Sequence, residues 1–226
     1  MTAAGSLKEE VIRDERGTVK IRQTTKHGKI EGTYYSYYGN GQILVKMSFK
    51  GGIKDGDAFS YYRGGEIREK GTFSHDKLDG EYIQYYENGR IREVESYKNG
   101  LLDGPYARYY PNGQIKEAEN FQEGRFHGPF TSYYPDGQIK EKGCFVDEKY
   151  DGDYESFFPD GSPQAKARYR NGSLTGSFTA FPAPAGLPEK FQHLPYPQEE
   201  ELPDDHLQKI TAELLAELEK PDKDRT

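Results

Sequence analysis

The stretch Tyr109–Glu117 reads YYPNGQIKE, and it decides the fold. Pro111 presets φ for the second position of a type I turn, and asparagine is favoured at the third position. Gly113 accepts the left-handed backbone conformation that closes such a loop with a bulge. The residues on either side are of strand length and favour β-structure. The stretch therefore predicts a β-hairpin.

The same pattern recurs along the chain at the constant spacing that separates Gly41 from Gly65, which we call the repeat period. Glycines in the hairpin turn form one ladder at this spacing, which consists of Gly41, Gly65, Gly89, Gly113, Gly137 and Gly161. A second ladder consists of Gly32, Gly56, Gly80, Gly104, Gly128, Gly152 and Gly176. A fixed period of this kind is typical of repeat architectures. We therefore predict an all-β protein, an elongated single-layer antiparallel meander of about seven hairpins spanning residues 14–182 after a lead-in at 1–13.

The composition limits what else the chain can be. Its hydrophobic fraction is 33%, which is low for a large conventional core, yet its aromatic fraction of 14% is too high for a disordered chain. No apolar run approaches the roughly 18 residues of a membrane span, and Met1–Glu10 has no apolar stretch typical of a signal peptide. We expect a cytoplasmic protein that binds no membrane.

The charge is unevenly distributed. The net charge is -7, and residues 183–226 carry 11 acidic and 5 basic residues, so residues 1–182 are nearly neutral. A neutral body has no surplus of positive charge to neutralise a phosphate backbone, which argues against a nucleic-acid ligand.

The C-terminal part differs from the repeats. Residues 183–203 are rich in proline and predict an extended linker or strap. Residues 204–226 predict an amphipathic helix and tail, because Leu207, Ile210, Leu214 and Leu218 share one helical face. Docking of this helix on its own sheet and binding to another chain both remain open, as does the oligomeric state.

Residues that could carry chemistry are scattered or repeated. Cys144, the only cysteine, has no histidine near it in the repeat, and the histidines lack metal-ligand spacing. The acids around Asp151-Gly152 are a turn feature shared between repeats. The glutamates expected to face water recur once per hairpin, as Glu69, Glu93, Glu117 and Glu141. We therefore predict no enzymatic activity, no cofactor and no metal.

The two faces of the sheet can be assigned from alternation. If Tyr37 opposes Ile43, then the ladders that begin at Tyr37, Ile43 and Phe49 share one face. The other face then carries the ladder from Tyr38 to Tyr134, a second tyrosine ladder and a basic column. A bulge that shifts the pleat would invert this assignment.

Tyrosine and arginine together are typical of protein interfaces. This face therefore supplies the predicted partner-binding residues, which are Tyr62, Tyr86, Arg92, Tyr110, Lys116 and Tyr134. The alternative is that these rings only stack on one another in place of a core.

The unit Gly-x-Tyr-x-x-Tyr-Tyr-x-Asn-Gly-Gln-Ile-(Lys/Arg)-Glu resembles the MORN-repeat variant of bacterial proteins, and the array resembles the YwqK-type antitoxin family. The resemblance covers residues 14–182 and implies a sheet of β-hairpins in a bacterial protein. For antitoxin members it implies neutralisation of a partner toxin by binding.

The expected function is thus non-enzymatic protein binding, as an antitoxin or immunity-like protein. The alternative is a structural or tethering scaffold that organises a complex through the sheet or the C-terminal helix. A glycan-handling enzyme is a third reading, because aromatic platforms also suit carbohydrates.

Overall fold

A computed structural model describes residues 6–188, which form one antiparallel sheet of 21 strand segments. The segments are β1 (Lys8–Arg13), β2 (Val19–Lys26), β3 (Lys29–Ile30), β4 (Gly32–Tyr37), β5 (Ile43–Lys50), β6 (Ile53–Tyr61), β7 (Ile67–Ser74), β8 (Lys77–Leu78), β9 (Gly80–Tyr85), β10 (Ile91–Lys98), β11 (Leu101–Leu102), β12 (Gly104–Tyr109), β13 (Ile115–Gln122), β14 (Arg125–Phe126), β15 (Gly128–Tyr133), β16 (Ile139–Val146), β17 (Lys149–Tyr150), β18 (Gly152–Phe157), β19 (Pro163–Arg170), β20 (Ser173–Leu174) and β21 (Thr179–Ala180).

The strands pair in chain order, each with the one before and the one after it. For example, β13 pairs with β12 on one side and with β14 and β15 on the other. The predicted meander of hairpins is confirmed. The sheet also extends into the segment 1–13, because β1 pairs with β2. The predicted helix at 204–226 lies outside the described residues, as does most of the segment 183–203.

The turn within each hairpin has the predicted form. In the hairpin of β12 and β13, the Gly113 N–H donates to the Tyr110 carbonyl at 2.8 Å, and the Tyr110 N–H donates to the Gln114 carbonyl at 2.8 Å. Gly113 has a φ of +92°, which only glycine adopts readily. The register shifts between Arg108 and Tyr109, so the turn is flanked by a bulge.

Successive hairpins are joined by a tight turn followed by a bend. Asn99 and Gly100, with φ of +52° and +84°, form the connection between β10 and β11. The bend comes at Gly104, where φ is +119° and a Cβ would lie 3.1 Å from the Ser96 Cβ. The glycine ladder from Gly32 to Gly176 therefore lies at bends in the strands. The sequence pattern alone does not distinguish these bends from turns.

The bulge corrects the predicted assignment of faces. Tyr37 does oppose Ile43, but Ser36 opposes Val45, so one extra residue lies between the two pairs. Side chains alternate with a period of two, and an extra residue moves all later ones to the other face. The prediction that the Ile43 and Phe49 ladders share a face is therefore wrong, for this reason.

One face is largely buried, and we call it the buried face. It carries the Phe49 ladder and the Tyr82 ladder; Phe73 is 1% exposed and Tyr82 is 0% exposed. Rings on neighbouring strands contact each other, as in Phe121 and Phe126, whose centroids lie 4.5 Å apart. Within residues 6–188, no helix has the length and hydrophobicity needed to cross a membrane.

Candidate interaction surfaces of the sheet

The opposite face of the sheet, which we call the exposed face, carries a row of alternating tyrosine and isoleucine. The row arises because Tyr37 pairs with Ile43, and the same pair recurs in the following hairpins, as in Tyr85 with Ile91. Its members are Tyr37, Ile43, Tyr61, Ile67, Tyr85, Ile91, Tyr109, Ile115, Tyr133, Ile139 and Phe157. Ile67, Ile91 and Ile139 are each 38% exposed. Large apolar side chains thus line the exposed face from β4 to β18.

Lysines border this row over part of its length. Lys46 lies over the Phe59 ring at 5.7 Å from its centroid, and Lys142 lies over the Phe157 ring at the same distance. Lys70 lies over Tyr85 at 6.0 Å. The π-faces of the rings attract these ammonium groups. Lys142 Nζ also lies 2.8 Å from Glu155 Oε2, so the exposed face combines aromatic area with lysines, of which Lys142 is ion-paired.

The tyrosines of the predicted partner-binding set make hydrogen bonds within the chain. Each donates its hydroxyl hydrogen bond to a backbone carbonyl in the following repeat, for example Tyr110 to Tyr133 at 2.7 Å. We call these residues the tyrosine tethers. They are Tyr38, Tyr62, Tyr86, Tyr110 and Tyr134. Phe158 holds the next ladder position and is 1% exposed.

Burial makes three of these hydroxyls harder to ionise. It raises the pKa of Tyr62 and of Tyr110 above the ordinary tyrosine value. The pKa of Tyr134 rises to about 12, first through burial and then through the negative charge of Glu141. Tyr62, Tyr110 and Tyr134 therefore keep their donor protons to higher pH than an exposed tyrosine does.

The basic column lies beside the glutamate column at the bulge. Lys116 Nζ lies 2.7 Å from Glu117 Oε1, and Arg68 Nε lies 3.5 Å from Glu69 Oε1. Arg92 is exposed. Within the predicted partner-binding set, the tyrosine hydroxyls and Lys116 thus have contacts inside the chain, and their binding to a partner remains a prediction.

The expectation that the glutamates face water is wrong. Glu69 is 1% exposed, Glu93 2% and Glu117 5%, because the bulge turns this column onto the buried face together with Glu95 and Glu119. The column therefore lies on the same face as the tyrosine tethers.

Each buried carboxylate has hydrogen-bond donors around it. Glu93 accepts hydrogen bonds from the Tyr106 hydroxyl and from Arg108 Nη2, the latter at 3.3 Å. Arg108 Nη1 donates to Glu117 Oε2 at 3.0 Å, so one guanidinium links two glutamates. In the next repeat, Glu141 accepts from the Tyr154 hydroxyl at 2.8 Å. This network holds charge inside the sheet by pairing it.

The acidic turn residues are also structural. The Asp151 carboxylate accepts the Asn171 backbone N–H at 3.0 Å, and Asp103 accepts that of Glu123 at 3.3 Å. The predicted turn role of Asp151 thus extends to the turn of the following repeat. Among residues 6–188, no group of three or more histidine, cysteine, aspartate or glutamate side chains is arranged to hold a metal ion.

The sequence pattern already placed the Tyr37 and Ile43 ladders on one face of the sheet, but it did not indicate that this is the exposed face. The predicted partner-binding set does not include the lysine column. Its signal is present in the repeat, because Lys46, Lys70, Lys142 and Lys166 lie at whole multiples of the repeat period from one another.

Comparison with protein families identifies the repeat. A family model described as the MORN repeat variant matches residues 30–50, 54–75, 78–99, 102–123, 126–147 and 150–171. No curated protein matches the chain significantly.

Proposed function

Because the chain belongs to the MORN repeat variant family, we propose that it is a non-enzymatic protein-binding repeat protein that holds its partner on the exposed face. The observation that carries the proposal is the row of alternating tyrosine and isoleucine, in which Ile67, Ile91 and Ile139 are each 38% exposed. A contiguous row of exposed apolar side chains is a candidate interaction site, and tyrosine is enriched among the residues that dominate binding energy.

The buried face is a poorer candidate for this role. Its aromatic rings pack on one another, its glutamates are paired, and its tyrosine tethers donate to the neighbouring repeat. The tyrosine hydroxyls on that face already donate to acceptors within the chain, so a partner could use them as donors only by breaking hydrogen bonds that join the repeats. The exposed face offers area without such a cost.

More specifically, we propose an antitoxin or immunity-like protein of the bacterial cytoplasm that neutralises a toxin by binding to it. The resemblance of the array to antitoxin proteins supports this form. The second candidate is a tethering scaffold, and the observation in its favour is the hydrogen bonding of each repeat to the next, which gives a continuous platform.

The experiment begins with capture of a partner by the wild-type chain, followed by calorimetry on the purified pair. A variant carrying Tyr85→Ser, Ile91→Ser and Tyr109→Ser removes the middle of the exposed face. We expect it to lose binding by about 2 kcal/mol or more, as central aromatic anchors do.

The matched control carries Arg92→Ser and Lys116→Ser, which leave the tyrosine–isoleucine row intact. If the triple variant bound the partner with wild-type affinity while the control lost affinity, the exposed face would be rejected as the binding surface. A captured partner that arrests growth when expressed alone, and is relieved by co-expression of the wild-type chain, supports the antitoxin form. A partner that does not arrest growth favours the scaffold.

A further inference from the structure

The last described strand segment leaves uncovered an aromatic position that earlier repeats bury. Phe178 is 44% exposed. Its aromatic equivalents, at whole repeat periods along the chain, are between 0% and 7% exposed, and they are Tyr34, Tyr82, Tyr106, Phe130 and Tyr154. Leu174 is likewise 47% exposed, whereas Leu78 and Leu102 in the same ladder are 1% and 7% exposed.

The difference goes with an edge of the sheet that no described strand covers. In the preceding repeat, β18 pairs with β16 on one edge and with β19 on the other. Among the described strands, β21 pairs with β19 alone. An open edge beside exposed aromatic residues invites a further strand.

The sequence beyond this edge continues the repeat. Leu187 falls on the Ile43 ladder, Glu189 on the ladder of Glu69, and Lys190 on the column of Lys46. The chain also turns near this place, although later than in the other hairpins: the Leu187 N–H donates to the Pro184 carbonyl at 3.2 Å, and the glycine with positive φ is Gly186, at +84°, where the ladder of Gly161 reaches Ala185.

We propose that residues 187–194 add to the open edge beside β21 as the closing strand of the array. Residues 189–194 of this segment lie outside the described residues. The proposed register is that of the preceding repeat, in which Tyr154 opposes Ala167. In this register Phe178 opposes Phe191, and Phe191 covers the exposed ring.

A segment of the same chain is favoured over the two other occupants, a second copy and a strand of another protein. The segment begins at the turn that ends the described chain, so its effective concentration at the edge is high. A second copy would offer its own edge strand β1, whose sequence KEEVIR does not follow the repeat pattern. This inference is independent of the proposed function.

Phe178→Trp tests the proposal in the full chain, because the protein contains no tryptophan of its own. We expect the introduced indole to be shielded from acrylamide and to emit at short wavelength at every protein concentration. Adding Phe191→Ser should bring its quenching toward that of free tryptophan. Adding Lys190→Ser instead, on the other face of the same strand, should leave the quenching unchanged.

Three results would overturn the proposal. If the indole is fully accessible to acrylamide in the full chain, the edge is open. If its shielding disappears on dilution, a second copy occupies the edge. If its shielding survives Phe191→Ser, a different segment or partner occupies the edge. Hydrogen exchange of residues 187–194 in the wild-type chain gives a second measurement that needs no substitution. Protected amides support the closing strand, and unprotected amides overturn it.

Discussion

The hydroxyl of Tyr86 donates a 2.7 Å hydrogen bond to the backbone carbonyl of Tyr109, in the following repeat. The same bond recurs between Tyr110 and Tyr133. Stability in a repeat protein is approximately a sum of terms within repeats and terms between neighbours. The tyrosine tethers contribute to the terms between neighbours. Their substitution should therefore change the stability of the protein, whereas substitution of binding residues should change partner affinity.

Tyr86→Phe should therefore lower the free energy of unfolding by about 1 kcal/mol, the usual net value of one hydrogen bond. The ring remains, and Phe158 shows that phenylalanine fits the ladder position. Urea denaturation followed by circular dichroism measures the loss. Partner affinity of the folded variant should stay at the wild-type value, and a drop would mean that Tyr86 contacts the partner.

Glu93→Ala should cost about 2 kcal/mol, because it leaves the Tyr106 hydroxyl without its acceptor and removes one of the two carboxylates paired with Arg108. Glu87→Ala, at an exposed turn position, is the matched control and should change the urea midpoint little. Equal effects of the two substitutions would contradict the buried network.

Gly113→Asp should destabilise the protein more than Gly124→Asp. Gly113 has a φ of +92°, and a side chain at a positive φ costs roughly 1–2 kcal/mol in general. Gly124 also has a positive φ, of +83°, but its position is occupied by Asp76 and Glu148 in other repeats, with φ of +66° and +65°, so its turn tolerates a side chain. Denaturant midpoints that fall equally would show that the two turns do not differ in this way.

Stability should fall as the pH rises above about 10. The pKa of Tyr134 is raised to about 12 in the folded protein, so the folded chain keeps a proton that the unfolded chain loses above its ordinary value of 10. The contribution of Tyr134 to the free energy of unfolding is complete below pH 10 and is lost as the pH rises through 12. Urea midpoints at pH 8, 10 and 11 measure this slope, and Tyr134→Phe should reduce it; an unchanged slope would show that Tyr134 is not its source.

Local signals are enough to predict the repeat itself. The turn around Pro111 and Gly113 is encoded in consecutive residues, because φ preferences act within a few bonds. The constant repeat period then extends one hairpin to a whole sheet. For the same reason, the family match follows the repeats along the chain.

The sequence alone determined the hairpin, its period and the meander. Only the tertiary structure decided which side chains are buried, since one residue at the bulge after Ile43 moves Val45 and Phe49 to the opposite face. It likewise decided that Glu93 is buried and that Tyr86 bonds to the next repeat, because both contacts join residues on different strands. Side-chain alternation has a period of two, so a single extra residue reverses the faces while leaving the repeat period of the sequence unchanged.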